Sequence, residues 1–103
     1  MPGPDPLLPK LANLATKAKL LSSDFANVGV RVFPDEMNRG LYFIELTKGR
    51  SSRRVRVEAS VAESVRRGFT DVLLMKDLRT ALQYIVQQAK EIEAKAARIS
   101  RRR

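Results

Sequence analysis

Cysteine, histidine and tryptophan are absent from this chain. Without thiolate or imidazole ligands, zinc and iron–sulfur sites are excluded. Histidine-based triads and the usual proton shuttle near neutral pH go with them. No run approaches the ~18 apolar residues that span a bilayer, and no signal peptide precedes a cleavage site. Acidic residues are scarce. Asp and Glu total 11 against 20 Lys and Arg, a net charge of +9. The acids that are neighbours in sequence, Asp35 with Glu36 and Glu91 with Glu93, are adjacent or on exposed helix faces. A metal-dependent nuclease built on carboxylates alone is the enzyme reading that remains, and it is the least favoured class. The chain is therefore expected to be no enzyme and to need no cofactor or metal. Its positive charge favours a polyanionic partner, either nucleic acid or an anionic membrane surface. Few thermolabile residues beside many Arg and Lys suggest an intracellular protein of a thermophile, cytoplasmic and, in a prokaryote, nucleoid-associated.

The hydrophobic fraction of 44% is enough for one small core. Residues 1–5, rich in proline, read as a disordered leader. Asp5 is a good N-cap and Pro6 suits the first helical position, so a helix is expected from Pro6 to Ser22. Leu7, Leu11, Leu14, Ala18 and Leu21 share one face. The polar face carries few charges, which argues against a membrane-surface helix. Three strand-like runs follow at Val28–Phe33, Leu41–Thr47 and Arg53–Ala59, in antiparallel order. Ser60 with Glu63 reads as a capping box, and Gly68 as the residue that closes that helix. Thr70 or Asp71 caps a last helix reaching Ile99. The fold class is α+β, in the order α-β-β-β-α-α.

Strand alternation sorts the side chains onto two faces. Val28, Val30, Val32, Tyr42, Ile44, Leu46, Val55 and Val57 form a core face. Arg31, Phe33, Phe43, Glu45, Thr47, Arg54, Arg56 and Glu58 form the other. Rings beside guanidinium groups on an open sheet suit single-stranded nucleic acid, where bases stack and Arg neutralises phosphate. Three assignments of the second strand stand. Phe43 faces outward in this register, whereas a bulge would exchange it with Tyr42, or a helix would seal both rings. Lys48, Arg50, Arg53, Arg54 and Arg56 fall in one segment with Gly49, Ser51 and Ser52. That segment reads as a mobile basic hairpin able to fold over a phosphate backbone.

The last third carries an a/d heptad seam of Met75, Leu78, Leu82, Ile85, Ala89, Ile92, Ala96 and Ile99. Such a helix is roughly 43 Å long and overhangs a domain only ~25 to 30 Å across. Its stripe is expected to pair with a second copy, so Leu78, Leu82, Ile85, Ala89, Ile92, Ala96 and Ile99 are the candidate dimerisation residues. The first turns, with Val72, Leu73 and Leu74, are expected to pack back on the sheet. An arginine-rich tail, Arg98 to Arg103, follows. Residues 6–69 thus read as a nucleic-acid-binding domain and 70–103 as a dimerisation helix with a basic tail.

In architecture the chain resembles the ThermoDBP-related proteins of thermophilic archaea, small single-stranded-DNA-binding proteins without an OB-fold. The likeness spans Pro6 to Ile99: a leading helix, an antiparallel sheet and a long zipper helix. It implies a basic cleft with an apolar floor that holds single-stranded DNA or RNA. By position the floor is Phe33 and Phe43, and the rim is Arg31, Lys48, Arg50, Arg53, Arg54 and Arg56. The leading expectation is a non-catalytic, sequence-tolerant homodimeric single-strand binder. The alternatives are a double-stranded DNA architectural or regulatory protein and a protein-assembly module.

Overall fold

The computed structural model describes the backbone of residues 5–101 and the side chains of residues 5–97. Most of the expected leader, the side chain of Ile99 and the side chains of the arginine tail lie outside the described residues. Asp5 itself is well placed. Its Oδ1 accepts the Leu7 N–H at 2.9 Å, and its Oδ2 accepts the Tyr42 hydroxyl. Helix α1, Leu7–Lys19, starts here, with Pro6 in the N-cap position. The helix ends earlier than its apolar pattern predicts. Leu20 and Leu21 donate to Lys17 and Ala18 in a tightened last turn, which leaves Leu21 exposed instead of packed.

Three strands follow: β1, Gly29–Pro34; β2, Tyr42–Lys48; and β3, Ser51–Val57. They form an antiparallel sheet in the order β1-β2-β3. The ladder between β2 and β3 runs on to Lys48 and Ser51. The expected mobile hairpin is therefore a tight turn of Gly49 and Arg50, with Ser51 and Ser52 paired in the sheet. Gly49 has φ +60, the glycine position that a type II′ turn requires, and that turn matches the twist of the flanking strands.

Helix α2, Ala59–Arg66, starts directly after β3. Its N-cap is Glu58 with no side-chain cap bond, so the Ser60–Glu63 capping box does not form. The extended Glu58 turns straight from strand to helix, which places Ser60 inside the first turn. Glu63 instead lies 3.5 Å from Arg67. Gly68 does close the helix. At φ +93 it donates to Val65, and Phe69 donates to Ser64, the paired bonds of a Schellman motif. Asp71 then caps α3, Val72–Arg101, with its Oδ1 accepting the Leu74 N–H at 2.8 Å.

The core lies between the sheet and the helices. Ile44, Leu46, Val57, Leu7, Leu11, Leu78, Leu82 and Ile85 are fully buried in it. This corrects the reading of the heptad seam. Leu78, Leu82 and Ile85 pack beneath their own sheet, so they do not face a second copy, while Ala89 is buried outside that core, at the margin of the helix. Sheet and zipper impose similar apolar spacings on a helix, and the sheet is the nearer apolar surface. Of the candidate dimerisation residues with described side chains, Ile92 and Ala96 remain exposed. Val72 and Leu73, expected to pack back, are 77% and 71% exposed. At about 100° per residue they point away from the stripe begun by Leu74. The molecule measures 59 × 28 × 19 Å, its long axis reflecting a helix that outruns the core. Among the described residues no helix is long and apolar enough to cross a membrane.

Candidate functional site

The register of the sheet decides which side chains meet. Phe33 pairs with Phe43, and Arg31 with Glu45, across β1 and β2. Phe43 pairs with Arg56, and Glu45 with Arg54, across β2 and β3. All of these residues point to one face, since no bulge interrupts the ladder. Tyr42 points the other way and is buried, so the outward assignment of Phe43 is the one realised. Among the described residues, no strand side chain on this outer face is fully buried. The rings are not sealed beneath a helix.

The two rings lie 5.8 Å apart with a 36° tilt. Arginines cover their faces. The Arg31 guanidinium carbon is 4.7 Å from the Phe33 ring centre, and that of Arg54 is 5.1 Å from Phe33 and 5.9 Å from Phe43. Glu45, with a side chain 17% exposed, holds the two arginines in place. Its Oε2 accepts Arg54 Nε at 3.0 Å, and its Oε1 lies 3.9 Å from Arg31 Nε. Arg56 pairs with Glu58 at 3.1 Å. A shallow hollow of about 450 Å³ opens beside the rings, walled by Arg31, Phe43, Arg54 and the Asp35–Met37 loop. Asp35 is turned inward on that loop. Hydrogen bonds from the Met37 N–H and the Asn38 amide hold its carboxyl below the usual carboxylate range. Its charge is thus satisfied locally.

The expected rim divides between the two sides of the sheet. Arg31, Phe33, Phe43, Arg54 and Arg56 share the outer face. Arg53, opposite Leu46, points to the helix side and stands over the Tyr84 ring at 4.3 Å. Lys48 and Arg50 line a second groove with Ala89, Ile92, Glu93 and Ala96, about 340 Å³ in volume. The correction has a plain cause: Arg53 and Arg54 are consecutive in a strand, so they cannot share a face. Sequence reasoning missed Tyr84. Its signal was an aromatic residue outside the seam, between Gln83 and the core residue Ile85.

A base, with an exposed π-face, stacks on a phenyl ring or on a guanidinium plane. The outer face offers both, alternating across the strands. Among the described residues no cluster of three or more acidic side chains could hold a metal ion. The chain matches no protein-family model, no curated protein and no solved structure.

Proposed function

We propose that this protein binds single-stranded nucleic acid, DNA or RNA, without catalysis and with little sequence preference. The reading is carried by one observation: a ring pair on an uncovered sheet face, with guanidinium groups on both rings. A duplex hides its base faces and gains nothing from such rings, whereas an unpaired strand stacks on them. The net charge of +9 supplies the long-range attraction to phosphate. Phe43→Ala is expected to weaken binding of a labelled oligothymidylate by about 1 to 3 kcal/mol, read by fluorescence anisotropy. An unchanged affinity removes the stacking face from the proposal.

The binding form is a homodimer joined by the exposed end of α3. Ile92 is 40% exposed and, with Ala96, prolongs the apolar spacing past the core. A helix that projects into water on its own is marginal, and a partner helix covers the stripe. Light scattering at micromolar concentration is expected to give about twice 11.6 kDa, and Ile92→Glu to return it to one chain's mass. A wild-type mass of one chain refutes the pairing.

A further inference from the structure

The cations of the sheet and of its β2–β3 turn fall into two sets. On the outer face Arg31 and Arg54 share Glu45, and Arg56 has Glu58. On the helix side, Lys48, Arg50 and Arg53 have no carboxylate within 4.0 Å among the described residues. Among the cations of the sheet, those without a carboxylate partner therefore lie away from the ring pair, along the turn and the margin of β3. That margin is free, because β3 is the last strand of the sheet. Its Ser51–Val57 run alternates cations over both sides, which discourages pairing with another strand.

An aromatic ring waits on the same side. Tyr84 is 46% exposed on α3, on a helical turn whose other large residues, Leu82 and Ile85, are fully buried. Arg53 covers one face of its ring. The turn that carries Lys48 and Arg50 lies further along the same helix, beside the groove whose Ile92 and Ala96 belong to the dimer contact proposed above and whose wall includes Glu93. A stacking surface and cations outside any ion pair thus recur on the helix side of the sheet.

We infer that Tyr84 and Arg53 form a second nucleobase-stacking station, and that one bound strand crosses the free margin of β3 to reach it. The inference rests on the single-strand reading above. The outer rings hold the first bases. Arg54 and Arg53, consecutive on β3, pass the backbone from one face to the other. Lys48 and Arg50 then neutralise phosphates at the turn. A short oligonucleotide is held by the outer rings alone, whereas a longer one uses both stations.

The test compares labelled oligothymidylates of about 5 and about 20 nucleotides, lengths that bracket common single-strand site sizes. Tyr84→Ala is expected to leave the short oligonucleotide's affinity within about twofold and to weaken the long one by about tenfold. Tyr84→Phe, which keeps the ring, is expected to bind both as wild type does. Arg53→Ala is expected to lower the salt dependence for the long oligonucleotide alone, by about one unit of slope. If Phe43→Ala weakens both lengths while Tyr84→Ala weakens neither, the crossing is refuted and the outer-face site stands. If wild type binds neither length, the single-strand reading fails and this inference falls with it. Circular dichroism of each variant shows whether the fold is intact, since an exposed helical Tyr→Ala change is mild for a helix.

Discussion

The two faces of this sheet are built from the same three strands, and neighbouring residues meet opposite fates. Tyr42, Ile44 and Leu46 are buried under helices, while Phe43, Glu45 and Thr47, interleaved with them, are not. Both sets contain large apolar groups. What separates them is cover: α1 and α3 bring leucines and isoleucines to one face, and the other meets a lattice of arginines. Burial contributes most per residue on the covered side. Availability for a ligand exists on the open side.

That contrast can be broken at four positions, in decreasing size of effect. Ile44→Ala removes a fully buried side chain and is expected to cost about 2 to 5 kcal/mol of stability in urea unfolding. The affinity of the folded fraction is expected to stay the same. Phe43→Ala, one residue away, is expected to do the reverse, losing the binding stated above with far less change in stability. A large stability loss there means that the ring belongs to the core.

Tyr42→Phe probes the inner face through its one polar group. The bond with Asp5 first, and then the bond from the Leu7 N–H, hold the Asp5 carboxyl below the usual carboxylate range. The same bond, with burial, pushes the Tyr42 hydroxyl up. Asp5 has a folded-state pKa below its unfolded one, so its contribution is present above the unfolded carboxylate range. It is lost as pH falls through the lowered folded value. Tyr42 has a raised pKa, so its contribution is present below the ordinary tyrosine range and lost as pH rises through the raised value. The gap between wild type and Tyr42→Phe is expected to be about 1 kcal/mol near neutral pH. It is expected to shrink below about pH 4 and above about pH 10. A gap that is flat across that range shows that the bond contributes no linked stability.

Glu45→Gln, on the outer face, is expected to give the smallest effect. Both arginines are more than half exposed, and ion pairs open to water on one side are worth about 0 to 1 kcal/mol, so stability changes little. Arg31 and Arg54 lose their counter-charge, and single-strand binding is expected to tighten by about twofold to fivefold with a steeper salt dependence. Weaker binding indicates that Glu45 serves chiefly to orient the arginines against the rings.

Much of the fold was legible residue by residue. Asp5 and Asp71 announce helix starts because a carboxylate accepts otherwise unpaired N–H groups, and Gly68 announces a stop because it adopts a positive φ without a Cβ clash. Alternation placed Phe33, Phe43, Arg31, Arg54 and Arg56 on one face. The errors share a cause as well. Ser51 and Ser52 suggest a loop by composition, yet Gly49 closes a tight turn and carries them into the ladder. Tyr84 had no partner until β3 was laid across α3 and set Arg53 over its ring.

From sequence alone, the spacing of apolar residues determined that α3 is a helix with one apolar stripe, and the period of two determined which strand residues travel together. These are properties of a chain's own geometry and need no knowledge of neighbours. Tertiary structure decided what covers each stripe. It gave Leu78, Leu82 and Ile85 to the chain's own sheet and left Ile92 bare, because the sheet ends before the helix does. It also gave the arginines that alternation had split their partners, because Glu45 is reached from one side of the strand and Tyr84 from the other.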